Sequence, residues 1–408
     1  MIYGLDYLRG KLGQKSNRVL LRYKYYDMKD KTQKISALIP PEFLPLTYAL
    51  GWCAKAVDSV ADRLNIYGFK NDALDINEIY SLNNSDILYD SAILSSLISS
   101  CSFLYIDRDD NNYPRIEVVD GANATGIIDT ATNMLTEGYA VIERDEQGDV
   151  KLEAYFLPYR TEYYEAGKTE PVDVLEHPSP YPLLVPVINR PDARRPFGHS
   201  RISRACMSIV QSAQRTLLRT EVGAEFYSVP QKYVVGLSED AEFNNKSATL
   251  ASFLSFTKDE DGDKPQLGQF NQQSMQPHLE HLRLLASVFA GETGLTLDDL
   301  GFNTQNPTSY EAIVASHTSL KLTAEKAQKQ FGTGFLNAGF IAACLRDDYH
   351  YQRSIISNMK TLWQPIIMPD AGALGGIGDA VYKINEAAPG YIGKQTLRQI
   401  TGLEGDDE

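Results

Sequence analysis

The stretch RISRACMSIVQSAQRTLLRTEVGAEFYS, residues 201–228, decides how this chain is read. Ile202, Cys206, Ile209, Ala213, Leu217 and Ala224 fall within about 80° of one another at helical spacing, and Arg204, Gln211, Arg215 and Arg219 fall on the opposite face. Pro230 ends the pattern, so the segment predicts one helix over about 200–228, a rod of roughly 40 Å.

Upstream of that helix, Pro178, Pro180, Pro182, Pro186, Pro191 and Pro196 predict a stiff linker. Before the linker, SFLYIDRDDNNYPRIEVVD (102–120) reads as an apolar run, a polar turn and a second apolar run. GYAVIERDEQGDVKLEAYFLPYRTEYYEAG (138–167) repeats the design, so both predict β-hairpins and 100–190 is a β-rich lobe. Helical spacing is expected over 16–30, over 47–64 through Trp52, Cys53, Ala56, Val57, Val60 and Leu64, and over about 74–100. Helices and hairpins segregated in this way give an α+β class.

Downstream, QKYVVGL (231–237) reads as a strand, followed by a polar segment without periodicity to about 275. A second helix is expected over 277–291. TGLTLDDLGFNTQNP (293–307) breaks it. Thr308 and Glu311, preceded by Pro307, form a capping box that opens a third helix. Ile313, His317, Leu320, Ala324, Ala327 and Phe331 share one face of it, and Gly332, Gly334 and Gly339 are expected to bend it before it resumes toward Tyr351 and about Ser357. Unbroken, it would measure roughly 75 Å, longer than a globular core needs. The tail, APGYIGKQTLRQITGLEGDDE, reads as a short helix with an acidic end.

The composition sets limits. The 408 residues suggest two or three domains, and 43% hydrophobic with 23% charged residues is ordinary globular usage. Four cysteines at 53, 101, 206 and 344 lack a CxxC pair, which excludes a zinc ribbon and a disulfide framework. The first residues hold no apolar run of signal-peptide length, and no stretch of 18 apolar residues occurs. A net charge of −14 argues against a surface that grips nucleic acid all over, though not against one that lets it pass.

Motifs that could carry chemistry are incomplete. GHSR at 198–201 begins like a nucleophile elbow, but Ile202 stands where glycine is required, and Ser200 reads better as a helix N-cap. His278 and His281 share a helical face without the H-E-x-x-H spacing of a zinc site. DRDDNN at 107–112 has Asn112 and Val118 where a calcium loop needs glycine and glutamate, so a hairpin turn explains it better. GALGGIG at 372–378 lacks the spacing and the lysine of a phosphate cradle and reads as a flexible connection. The arginine face of 200–228 could meet phosphate, but a solvated face or salt bridges to a neighbouring subunit are the better reading. No paired carboxylates, dyad or triad emerge. The chain reads as a non-enzymatic architectural protein, with no cofactor and no metal expected.

Four blocks in order resemble the portal proteins of tailed bacteriophages. They are YKYYD around Tyr25–Tyr26, GWCAKAVDSVADRLNIYGF at 51–69, FGHSRISRACMSIVQSAQRTLLRTEVGAEFYSVPQKYVVGL at 197–237, and LGFNTQNPTSYEAIVASHTSLKLTAEKAQKQFG at 300–332. The resemblance covers about 20–340. It implies a portal-type α+β fold. A helical and β wing would span 1–197, a first stem helix 198–228, a small clip 229–275, a second stem helix 276–297 and a tunnel loop 298–307. A long wing helix and a short crown would fill 308–408. It further implies a homo-oligomeric ring, usually dodecameric, at one capsid vertex in the virion, assembled in the host bacterial cytoplasm. The partners implied are the terminase large subunit, major capsid and scaffold proteins, a head–tail adaptor, and double-stranded DNA passing without sequence specificity; no membrane is implied. On that reading Asp298, Asp299, Asn303, Thr304 and Gln305 of the tunnel loop would face DNA, and Arg204, Arg215 and Arg219 would form the polar face of the first stem helix. None of the loop residues is basic, so contact without grip is expected. Two other classes stay open: a different capsid-associated structural protein, and a hydrolase using Ser200 or a metal at His278 and His281.

Overall fold

The computed structural model describes residues 2–228, 232–235, 266–269, 274–302 and 314–403, apart from 38, 40, 47 and 110. The chain is mixed α and β, as expected, and falls into two compact units. The larger comprises Met1–Asp30, Gly51–Met207 and Ala290–Glu408; the smaller comprises Lys31–Leu50 and Ser208–Phe289.

The larger unit opens with helix α1, Leu5–Tyr26, which starts well before the expected residue 16. Leu8, Leu12 and Val19 continue its buried stripe upstream; Gly10 and Gly13, which disguise the pattern in the sequence, face open space. Two buried carboxylates of the sheet hold its start. Glu137 accepts from the backbone N–H groups of Tyr3 and Gly4 at 2.8 and 3.0 Å and from the Tyr155 hydroxyl at 2.8 Å. Glu153 accepts from Arg9 Nε at 2.9 Å and from the Tyr139 hydroxyl. An anion at a helix N-terminus meets unpaired N–H groups and the positive end of the helix dipole, so Glu137 serves as a cap supplied from another element. Leu8 and Leu12 then pack with Tyr139, Val141, Tyr155 and Tyr164.

Helices α2 (Trp52–Ala61), α3 (Ile76–Leu82) and α4 (Ser85–Ser99) match the expected helical stretches, with strand β1 (Ile66–Lys70) between the first two. Strands β2 (Cys101–Arg108) and β3 (Pro114–Val119) form the first expected hairpin. Strand β4 (Ala124–Asp129), unforeseen, adds to a five-stranded antiparallel sheet with β5 (Met134–Arg144), β6 (Val150–Leu157), β7 (Arg160–Glu165) and β8 (Asp173–Glu176), in sequence order.

The proline-rich segment is not merely a linker. Its middle forms β9, Leu184–Ile188, with all five residues buried, paired antiparallel to β2. Pro186 is tolerated because β9 is the edge of a β3-β2-β9 sheet, where one side of the strand needs no ladder donor.

Helix α5, Arg204–Ser228, is continuous over the segment that opened the sequence argument, and β10 (Lys232–Val235) pairs with β11 (Gln266–Gln269) in the smaller unit. Helix α6 spans Gln276–Thr293. The capping box at Thr308 and Glu311 lies outside the described residues. The third helix, α7, is continuous over Thr318–Arg346. Its glycines allow close approach: a Cβ at Gly332 would meet Thr361 Oγ1 at 2.2 Å, and one at Gly334 would meet the carbonyl of Pro186 at 3.2 Å. The helix stops at Arg346, short of the expected Ser357. The chain then turns through a 3₁₀ segment, Arg353–Asn358, into β12 (Lys360–Trp363), which pairs with β1. The glycine-rich 372–378, expected to be flexible, lies inside helix α8 (Ala371–Ala387), capped by Asp370, whose carboxylate accepts from Ala373 N at 2.7 Å. Helix α9 (Lys394–Thr401) follows.

Candidate functional site

In the smaller unit, the polar face of α5 is not left to solvent. Gln211, 7% exposed, accepts from the backbone N–H of Gln33 at 2.7 Å and donates to the Lys31 carbonyl at 3.1 Å. Arg215 donates to the Gln33 carbonyl at 3.2 Å and to Ser212 Oγ at 2.8 Å. Thr32 donates to Gln214 at 3.3 Å. The segment 31–33 is thus strapped to the helix by a row of amides and a guanidinium. Arg219 is exposed in this unit, and Arg204 is exposed in the larger one.

On α6, Ala286 and Phe289 are buried, but three other apolar residues turn outward. Leu279, Leu284 and Val288 are 53%, 60% and 51% exposed. Leu284 and Val288, about 40° apart at helical spacing, share one exposed face that covering would stabilise, and Leu279 lies across the helix from them. His281 on the same helix meets the Thr216 hydroxyl at 3.0 Å across to α5. His278 and His281 are brought to no third ligand: among the described residues, no group of three His, Cys, Asp or Glu is placed to hold a metal ion.

The loop after α6 belongs to the larger unit. Gly294 takes φ +72°, a conformation that suits glycine. Thr296 and Asp299 then close a small turn: Asp299 Oδ2 accepts from the Thr296 N–H at 2.8 Å and from its hydroxyl at 2.9 Å, and the Asp299 N–H returns to Thr296 Oγ1 at 3.2 Å. His317 Nε2 stands 3.4 Å from the same carboxylate oxygen. Burial alone would raise the Asp299 carboxyl, but the two Thr296 donors and His317 outweigh it and hold the group below the ordinary carboxylate range. Asp299 is therefore committed to its own turn, whereas Asp298 is exposed. Phe302 sits edge-on to Trp52 at 6.5 Å between centroids. Asn303, Thr304 and Gln305 lie outside the described residues.

The remaining sequence candidates are explained by local structure. Ser200 Oγ donates to the Ile98 carbonyl and accepts from the Ile202 N–H at 3.0 Å, and the N-cap of α5 is instead Ser203, which accepts from Cys206 N at 3.1 Å. Within 107–112, Asp109 Oδ1 accepts from the N–H groups of Asn111 at 2.9 Å and Tyr113 at 2.7 Å, a hairpin turn.

Sequence reasoning missed Arg201. Its Nε donates to the Ala56 carbonyl in α2 at 2.7 Å and its Nη2 to the Thr293 carbonyl at the end of α6 at 2.6 Å. Burial lowers its guanidinium to about 10. One side chain thus ties the lead-in to α5, the body of α2 and the last residue of α6 together. An arginine set between Ser200 and Ile202, just ahead of a helix, was the only signal.

No family model matches the chain. Two curated relatives do, both named "Portal protein". One, from Mycobacterium phage L5, is 25% identical over 396 residues, covering 92% of this chain and 80% of the relative. The other, from Mycobacterium phage D29, is 24% identical over 400 residues, covering 93% and 81%. The chain is therefore similar to phage portal proteins over nearly its whole length. Among solved structures, the neck of a native gene transfer agent particle computed with C12 symmetry matches at 12% identity with a TM-score of 0.47, covering 94% of this chain and 99% of the other. The virion of the same kind of particle matches at 12% identity and a TM-score of 0.44, covering 95% and 99%. Likenesses this distant carry no weight for function.

Proposed function

We propose that this chain is the portal subunit of a tailed phage: a homo-oligomeric ring, dodecameric as is usual in the family, set at one capsid vertex of the virion, through which double-stranded DNA is packaged and ejected. The observation that carries the reading is the similarity to two portal proteins over more than nine-tenths of the chain. The exposed Leu284 and Val288 of α6 support it, because a ring subunit needs apolar surface that only its neighbours cover. Head-to-tail contacts that close on themselves give such a cyclic assembly.

In this reading residues 1–197 are wing, 198–228 and 276–297 are the two stem helices, and 229–275 is the clip that meets terminase and the head–tail adaptor. Residues 298–307 are the tunnel loop, and 308–408 carry the wing helix and crown. Asp298, with Asn303, Thr304 and Gln305, faces the channel axis, while Asp299 holds the loop's shape from behind. Arg215 of the stem's polar face secures the 31–33 strap, which leaves Arg204 and Arg219 for contacts beyond the subunit. Major capsid and scaffold proteins surround the ring, and assembly takes place in the host cytoplasm. The chain performs no catalytic step, and the energy for DNA movement comes from the motor partner. Negative-stain microscopy of the purified chain tests the proposal: rings with a central channel support it, and monomers at micromolar concentration across a range of salt would count against it.

A further inference from the structure

Beside the start of β7 and the end of β8, the larger unit holds an open hollow of about 600 Å³ whose lining includes Tyr159, Arg160, Glu176, His177 and Asp348. Its wall is fixed by backbone bonds. The Tyr159 N–H donates to the Ser179 carbonyl at 2.9 Å, and the Tyr159 carbonyl accepts from the His177 N–H at 3.1 Å. Tyr159 holds φ +65°, a left-handed conformation that a bulky side chain rarely takes. Its ring is half exposed and stands edge-on to that of His350, with centroids 6.3 Å apart.

The charges around the hollow do not balance. Arg108 donates to Asp348 Oδ1 at 3.1 Å. Arg160 stands opposite Glu176 in the β7–β8 register, yet it pairs with Glu162 at 2.5 Å. Glu176 is exposed and has no ion pair among the described residues. One negative charge is left over. His177 is the buried member of this lining, 5% exposed, and among the described residues neither ring nitrogen has a partner of good geometry. Burial first, and then the charge of Arg108, keeps the ring neutral down to about 4. A neutral imidazole carries one bare nitrogen, which is an acceptor. A buried acceptor without a donor costs stability, so its place in the wall of a hollow points to a ligand that brings an N–H.

We propose that this hollow receives the side chain of an arginine from a protein partner. A guanidinium brings one positive charge and a planar set of N–H donors, which match the Glu176 carboxylate and the bare nitrogen of His177, and its plane stacks on an aromatic ring such as that of Tyr159. A free amino acid fits less well, because its α-carboxylate would find Arg108 and Arg160 already paired and Glu176 close by. A metal ion fits no better: among the described residues no three of His, Cys, Asp or Glu are placed to hold one. The hollow lies within the larger unit of a single subunit, so the inference does not rest on ring formation.

The test is saturation-transfer NMR of the full chain with N-acetyl-arginine methylamide, which presents arginine as it stands within a peptide. Native protein should bind it with a Kd of about 1 mM, as suits one charged group on an open site. Glu176→Gln changes an exposed side chain, so the thermal midpoint should stay near native while binding weakens about tenfold. His177→Leu should weaken binding comparably; if that buried change prevents folding, Glu176→Gln decides. Glu146→Gln removes an exposed acid from the β5–β6 turn and should bind as native protein does. The citrulline analogue, which keeps the shape and loses the charge, should give no transfer. The proposal is overturned by no transfer to the blocked arginine at about 10 mM, by native affinity in Glu176→Gln or in folded His177→Leu, or by an equal loss in Glu146→Gln. Citrulline binding as well as arginine would also overturn it, as would free L-arginine binding more tightly than the blocked form, the mark of a small-molecule site.

Discussion

Gly339 in α7 lies so close to Ile76 at the start of α3 that a Cβ added to the glycine would stand 2.4 Å from Ile76 Cγ2 and 3.0 Å from its Cδ1. Ile76 is fully buried and β-branched, so it has no free rotamer in which to retreat. Gly339→Ala should therefore destabilise the larger unit by about 1–3 kcal/mol through overpacking. Gly378→Ala in α8 is the opposite case, because no atom of the described residues lies within 4 Å of the added carbon. That change should raise stability by about 0.5–1 kcal/mol by removing backbone freedom from the unfolded chain. Thermal midpoints of the two variants should move in opposite directions; a shared direction would contradict this packing.

His177 is 5% exposed, and among the described residues neither ring nitrogen has a hydrogen-bond partner of good geometry. Burial first, and then the charge of Arg108, holds the imidazole down to about 4. The unfolded value is about 6.5, so between those values the unfolded chain takes up a proton that the native one refuses. The native state should keep its stability above pH 6.5 and lose part of it as the pH falls toward 4. His177→Gln should flatten the thermal midpoint across that window. An unchanged slope in the variant would remove His177 as the cause.

Arg201→Met should leave the carbonyls of Ala56 and Thr293 without their donor and cost about 2 kcal/mol or more. Hydrogen exchange should quicken in 293–302 before the rest of the larger unit. Uniform exchange across that unit would mean that Arg201 does not hold the loop.

Much of the fold was legible in the sequence because its signals were local. The apolar stripe of α5, the hairpin turn at Asp109 and the alternation in β5 and β6 are each written within about a dozen residues. What failed depended on distant partners. Pro186 reads as a breaker until β2 is placed beside it on an edge. Why Gly332, Gly334 and Gly339 stand where they do is invisible until Thr361, Val187 and Ile76 are seen to need the room. The start of α1 reads as loop because its cap, Glu137, is more than 130 residues away in sequence. Of the candidate site, the acidic character of 298–299 was visible, but not that Thr296 and His317 claim Asp299.

Replacing Asn303 and Gln305 with arginine should add phosphate attraction on the proposed channel axis and slow or stall packaging. The assay is DNA packaging into assembled capsids carrying the double substitution. Normal packaging with intact rings would mean that this loop does not line the channel.

The central claim is the ring. Negative-stain class averages of the purified chain test it most directly. The account predicts closed rings with a central channel wide enough for duplex DNA. A uniform population of single subunits, unchanged at micromolar concentration from low to high salt, would contradict it.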